Sequence, residues 1–241
     1  MTARRPALKP RKLPRQQRAE QTVAALLEAA ARILESKGLD GLNTNKVAEL
    51  AGVSVGSLYQ YFPGKDALVV ALLQRERAAF LAQAEGALAA STGREALERL
   101  VAASVHQQLY RPALVRLLDF EERRPAIARE LAPFIVSIGA LIAALLRRPD
   151  VPPQASLETA TDEVMAIVRG LVNAAGERED LDRDALERRI CRAVFGYLGF
   201  PPSAAQAARP SPKRRAPEMR AIAEPDGRRP ARRKASIKSG Q

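Results

Sequence analysis

The chain has 241 residues, 46% apolar but only 4% aromatic and without tryptophan, a composition that can bury a sizeable core and favours helices over sheets. A single cysteine, Cys191, and a single histidine, His106, exclude a disulfide framework or a cysteine–histidine metal cluster within one chain, and no apolar run approaches the roughly 20 residues of a membrane span. The net charge of +12 is concentrated at the ends, with +7 on residues 1–18, +8 on residues 201–241 and −3 between them, which suits contact with phosphates better than it suits a uniformly basic coat protein.

Residues 1–18 hold three prolines and no apolar periodicity, so a disordered basic arm is expected there. From near Arg18, Val23, Leu26, Leu27, Ala30, Ile33 and Leu34 recur at helical spacing, and Lys37-Gly38 supplies a basic last turn and a C-cap glycine. Asn43 is placed to cap a short second helix carrying Val47, Leu50 and Ala51 inward, and Gly52 permits the turn that ends it. Ser54 caps a third helix, Val55 to Phe62, which Pro63-Gly64 stops before Lys65-Asp66 opens a long helix reaching about Leu88.

Beyond Ser91-Thr92-Gly93, Leu97, Leu100, Val101 and Ser104 mark one helical stripe, Leu114, Leu117 and Leu118 another, and Phe134 to Leu145 a third. Pro112, Pro125, Pro133 and the segment 149–153 divide them into several medium helices. Val164, Ile167, Val168, Leu171, Val172 and Ala175 make a strong stripe, as do Leu186, Ile190, Val194 and Tyr197. Residues 201–241 are rich in proline and arginine with little to bury, and a disordered basic tail is expected.

The segment 43–68, NTNKVAELAGVSVGSLYQYFPGKDAL, has the grammar of a helix-turn-helix: two short helices joined at Gly52. A reading helix must bury one face and offer small or polar side chains to base edges in the major groove. Leu58 and Phe62, four residues apart, supply the inner face, while Ser54, Val55, Gly56, Ser57, Gln60 and Tyr61 surround the outer one. Gly56 and Ser57 permit close backbone approach, Gln60 suits adenine N6 and N7, and Tyr59, Tyr61 and Lys65 suit phosphates.

Together, the first helix, the Asn43–Gly52 helix and turn, and SVGSLYQYFPGKDAL resemble the N-terminal signature of the tetracycline-repressor (TetR) family over roughly residues 19–70. The resemblance implies an all-α fold: a three-helix helix-turn-helix domain over residues 19–66, then a helical effector-binding and dimerisation domain over 67–200. It places DNA contacts at Thr44 and Asn45 on the second helix, at Ser54, Val55, Gly56, Tyr59, Gln60 and Tyr61 on the third, and at Lys65. Tyr61 stands where many members have histidine, and Gly64 where many have Ser, Thr or Asn. The implied partners are double-stranded DNA, a second copy of the chain and a small hydrophobic effector, in the cytoplasm, with no cofactor and no membrane.

The resemblance implies dimerisation through the last two helices, for which Val164, Ile167, Val168, Leu171, Leu186, Ile190, Val194 and Tyr197 offer apolar faces. Apolar clustering suggests an effector pocket at Leu109, Tyr110, Leu114, Leu117, Phe120, Phe134, Ile138 and Leu141. The implied function is a repressor released from a palindromic operator by its effector; the alternative is a nonspecific DNA-compacting protein acting through its basic ends. An enzyme is not expected, because no acid–base, nucleophile or phosphate-loop constellation is present. Asp180, Asp182 and Asp184 imitate the start of a calcium loop, but Ala185 and Cys191 stand where its glycine and glutamate belong. Cys191 is expected to be buried and inert, and His106 to be an ordinary polar or pocket-lining residue.

Overall fold

A computed structural model describes residues 15–201. Among them the chain forms ten α-helices and one 3₁₀ turn, with no strand. The basic stretches expected at 1–18 and 201–241 lie outside the described residues apart from 15–18, which are helical, and Pro201. The first helix, α1 (Arg15–Gly41), thus starts three residues earlier than its apolar stripe indicates, directly after Pro14 in the sequence. It breaks at Gly38, whose φ of 64° and ψ of −168° are open to glycine and costly for other residues.

The next two helices are set by their caps. The Asn43 side chain accepts from Asn45 N–H at 2.8 Å to start α2 (Thr44–Ala51), and Gly52 at φ 70° ends it by donating to the Ala48 and Glu49 carbonyls. Ser54 accepts from Ser57 N–H at 3.0 Å to start α3 (Val55–Tyr61), and the extended Phe62 before Pro63 closes it. Leu50, expected inward on α2, is 52% exposed: α2 has only two turns, and the face completed by Val47 and Ala48 already fills the contact with α1 and α3. Then follow α4 (Lys65–Glu85), the 3₁₀ turn (Gly86–Ala89), α5 (Gly93–Tyr110), α6 (Pro112–Glu122), α7 (Pro125–Glu130), α8 (Ala132–Leu146), α9 (Leu157–Glu177) and α10 (Arg183–Leu198). Pro112, Pro125 and Pro133 each sit in a first turn, where the missing N–H costs nothing.

Two apolar cores organise these helices. One gathers Leu26, Leu34, Leu58, Phe62, Leu68 and Leu72 from α1 to α4, but it also takes Leu114 and Leu118 of α6, Ile127 of α7 and Leu131. The other joins α5, α8, α9 and α10 around residues such as Leu97, Leu145, Val164 and Ile190. A division at residue 66/67 therefore runs through a shared body: α4 feeds both cores, and α6–α7 return from the second half to complete the first.

The three aspartates before α10 have ordinary work. Asp182 caps the helix by accepting from Ala185 N–H at 2.9 Å, and Asp180 takes the Arg189 guanidinium at 2.5 Å. Cys191 on α10 is half-buried; its desolvation, with Glu98 and Glu187 nearby, pushes the thiol up to about 12. Thiol modification of the folded protein at pH 8 should therefore run on the order of 10³-fold slower than for an unperturbed cysteine, accelerating only as the pH approaches 12 or in urea; fast labelling of the native protein at pH 8 would contradict this burial. Leu58→Ala should cost about 2–5 kcal/mol in urea unfolding, because it opens a void at the centre of the helix-turn-helix.

Candidate nucleic-acid interface and internal cavity

The helix-turn-helix leaves one face without a packing role. Leu58 is fully buried and Phe62 nearly so, which turns Val55, Gly56, Tyr59, Gln60 and Tyr61 of α3 outward, together with Ser54 ahead of them. On α2, Asn45 is exposed and Thr44 half-buried, with the Thr44 hydroxyl 3.2 Å from the Tyr59 hydroxyl across the two helices. That bond fixes the start of α2 against α3 and steers the Tyr59 ring. Ser57 is half-buried, its hydroxyl 2.8 Å from Ser54 Oγ, so both serines face outward partly satisfied by each other.

Lys65 is placed differently from the expectation of a free phosphate donor: half-buried, it donates an Nζ proton to the Leu39 carbonyl, tying the start of α4 to the end of α1. Its other two protons stay available. Lys46, exposed on α2 one position beyond Asn45, is a cation that the sequence reading passed over. Its signal was present: a lysine in the first turn opposes the helix dipole, a placement with little structural benefit.

Charged side chains clamp this domain to the rest. Arg111, between α5 and α6, donates Nε to Glu35 at 2.7 Å and Nη1 to Glu28 at 3.1 Å, both on α1, and these bonds raise its pKa further. Arg124, ahead of α7, makes a two-pronged bond of 3.0 and 2.8 Å to Asp66 at the start of α4 and a third of 2.7 Å to Glu121. Hydrogen bonding to Arg124 holds the Asp66 carboxyl below the usual carboxylate range.

A cavity of about 110 Å³ opens among α4, α5, α6, α8 and α9. Its apolar wall includes Phe80, Leu100, Phe134, Ile138 and Met165, and Phe80 meets Phe134 edge-on at 6.1 Å. Against this wall stands a charged cluster. Arg77 of α4 donates Nη2 to Asp119 at 2.7 Å and to Glu122 at 2.5 Å, both on α6, and Arg169 of α9 reaches Glu122 at 3.3 Å. Desolvation works to lower the Arg77 pKa, but Glu122 and Asp119 outweigh it and leave it raised; at Asp119 burial wins, and the pKa goes up. The Arg77 Nε is buried and has no hydrogen-bond partner among the described residues.

Only two of the eight residues expected to line a pocket do so: Phe134 and Ile138. Leu114 is buried in the core of the DNA-side helices and Leu117 packs against it, while Leu141 is buried in the other core, which Leu109 flanks. Tyr110 and Phe120 are 70% and 63% exposed, and Tyr110 stacks near His106 at 5.7 Å. For Leu114 and Leu117 the reason is the orientation of α6: both face the core that α6 shares with α1 and α4, and Glu122 is the α6 residue that lines the cavity. Arg77 and Glu122 went unnoticed, although Arg77 interrupts the stripe Leu73, Phe80, Ala84 and so places a charge on a buried helix face.

The residues expected to pair two chains also divide. Val164, Leu186, Ile190 and Val194 are spent within the chain's own core, and Val168 lines the cavity. A 3.6-residue stripe reports burial without saying what lies across it. Ile167 and Leu171 are half-buried, and Tyr197 is exposed, its hydroxyl held above the ordinary tyrosine pKa by a hydrogen bond to Glu163. Around them Ala166 and Gly170 leave the outer face of α9 low and open.

Comparison with known proteins gives this geometry a lineage. Residues 26–72 match the model of the tetR family of bacterial regulatory proteins, and residues 94–198 match that of the tetracyclin repressor-like C-terminal domain. The chain is 23% identical to the HTH-type transcriptional regulator UidR of Escherichia coli (strain K12) over 188 residues, 76% of this chain and 95% of UidR. It is 41% identical to the HTH-type transcriptional repressor DrrR1 of Streptomyces coeruleorubidus, but over 54 residues that cover 22% of this chain and a fifth of DrrR1. The transcriptional regulator FadR of Bacillus subtilis, solved in complex with stearoyl-CoA, shares the fold with a TM-score of 0.63 at 15% identity, over 71% of this chain and 96% of FadR. With both halves of the family's architecture matched in order, the chain belongs to the TetR family of transcriptional regulators.

Proposed function

We propose that this regulator is a homodimeric repressor that reads a palindromic operator through α3 and leaves it when a small effector fills the cavity. The observation that carries the reading is the exposed face of α3: Ser54, Val55, Gly56, Tyr59, Gln60 and Tyr61 all stand exposed, while Leu58 and Phe62 hold the helix from behind. Gln60 presents an amide suited to adenine, Asn45 and Thr44 flank it from α2, and Lys46 with the spare protons of Lys65 suits the phosphate backbone.

The outer face of α9 and α10 suits dimerisation: Tyr197 is exposed and Ile167 and Leu171 are only half-buried, among the exposed Ala166 and Gly170. Two copies related by a two-fold axis would offer two recognition helices to major grooves about 10 base pairs apart, or a multiple of that spacing. Bacillus subtilis FadR, which shares this fold, was solved in complex with stearoyl-CoA, and that supports reading the cavity as a ligand site.

The cavity and the reading helix communicate through α6. Glu122 and Asp119 of α6 hold Arg77 at the cavity wall, and Leu114 and Leu118 of the same helix are core residues of the DNA-binding half. An effector that shifts α6 disturbs both contacts, because close-packed cores switch between arrangements and do not stretch. Release of DNA then requires only that the effector bind better to the arrangement whose recognition helices are wrongly spaced.

Fluorescence anisotropy against palindromes upstream of the protein's own gene tests the reading. Gln60→Ala should lose about 1–3 kcal/mol on the operator and nothing on scrambled duplex; equal affinity for both duplexes, indifferent to Gln60 and collapsing with salt, would establish the nonspecific reading instead. On the dimer face, Gly170→Arg should shift the protein toward monomer in sedimentation while leaving its helical circular dichroism intact. A Gly170→Arg protein that stays dimeric places the interface elsewhere.

A further inference from the structure

The hairpin of α9 and α10 carries its outward charges unevenly. Val164, Val168 and Val172 bury the inner face of α9, while Asp162, Glu163, Ala166 and Gly170 stand exposed. Leu186, Ile190, Val194 and Leu198 bury the inner face of α10, which turns Arg189, Arg192 and Gly196 outward. Several charges are matched within the chain: Arg183 by Glu187, Arg189 by Asp180 and Arg169 by Glu122. Glu163 and Arg192 make no ion pair among the described residues. Water can satisfy an exposed charge, so this alone decides nothing; the heights of the two residues on the hairpin do.

Glu177 ends α9 and Arg183 opens α10 after a five-residue turn. Running back fourteen residues from that turn on each helix brings Glu163 level with Tyr197, and the Tyr197 hydroxyl does meet the Glu163 carboxylate. Arg192 lies five residues before Tyr197, which places it about 7.5 Å nearer the turn than Glu163. That offset, added to the roughly 8–10 Å between packed helix axes, keeps the two apart within one chain. Around the height midway between them stand Ala166, Ala193 and Gly196, whose small side chains let another helix pair approach closely. A two-fold axis crossing the hairpin at right angles at that height inverts all heights, and so brings Glu163 of each chain level with Arg192 of the other. An axis running along the hairpin would leave heights unchanged and set acid beside acid and base beside base.

We propose that the partner this face fits is a second copy of the chain lying antiparallel across Ala166, with two Glu163–Arg192 ion pairs between the chains setting that register. This rests on α9 and α10 forming the dimer face, and the two readings can fail separately. Both residues are open to solvent in the single chain, so the pairs serve orientation and choice of partner more than affinity, and salt weakens them.

Charge reversal in the full chain tests the pairing. Glu163→Arg sets arginine against Arg192, and Arg192→Glu sets glutamate against Glu163. Each variant alone should raise the dimer dissociation constant about tenfold with its helical circular dichroism unchanged. Mixed, the two variants satisfy both contacts: one contact keeps glutamate at 163 opposite arginine at 192, and the other carries the same charges exchanged. Native mass spectrometry of an equimolar mixture, after subunit exchange, should find about nine-tenths of the dimer as the mixed pair, against roughly half for random pairing. A variant that only disturbs its own chain, for instance by losing the Tyr197 contact, gains nothing from the other variant. Random pairing would overturn the Glu163–Arg192 register, and if Gly170→Arg still yields monomer the dimer face itself stands. Unaltered protein that sediments as a monomer at every concentration would remove the dimer face and this register with it.

Discussion

The burial of α6 against two neighbours at once is the constraint on which the rest of this molecule depends. Eleven residues, Pro112–Glu122, present Leu114 and Leu118 to the core of the DNA-binding helices and Asp119 and Glu122 to Arg77 at the cavity wall. Neither contact is optional. Leu114 and Leu118 are fully or almost fully buried, and freeing either carboxylate would leave the 16%-exposed Arg77 side chain short of a counter-charge. The helix is also bracketed by clamps, Arg111 onto Glu28 and Glu35 of α1 before it and Arg124 onto Asp66 of α4 after it. A displacement of α6 is therefore delivered to α1 and α4, the two helices against which α2 and α3 are packed or to which they are joined.

This arrangement makes residues 15–201 a single body, the physical basis on which the proposed function links DNA reading to effector binding. Exposed ion pairs alone would couple the halves weakly, since pairs such as Arg124–Asp66 are screened by salt and worth little singly. The apolar contacts of α6 and α7 give the coupling its stiffness, and the ion pairs fix direction. The four-charge cluster has a further consequence: because Arg77 and Arg169 are matched by Asp119 and Glu122, the cavity wall can be polar without drawing in a counter-ion.

The DNA-reading half was legible in the sequence because its determinants are local. Asn43 and Ser54 cap the helices they were expected to cap, Gly52 adopts the positive φ that its place between two helices requires, and Leu58 and Phe62 lie four apart with nothing else able to bury them. Lys65 departs from expectation because its partner, the Leu39 carbonyl, is 26 residues away and invisible to any local pattern. The cavity was illegible for the same reason on a larger scale. Periodicity marks Leu114, Leu141 and Val164 as buried, and they are, but which neighbour covers each is a property of the tertiary arrangement. The more informative signal was the charge out of place: Arg77 between Leu73 and Phe80 on an inward helix face.

Hydrogen exchange resolved across Pro112–Glu122 is the most direct test of this account, measured on the full chain alone and bound to its operator. The α6 amides touch no DNA in the proposed complex, yet the account expects their protection to change on operator binding, because the packing of Leu114 and Leu118 must follow the reading helices. Protection unchanged along all of α6, with the α2–α3 amides responding to the same DNA, would show that the two halves move independently and would contradict the coupling on which the account rests.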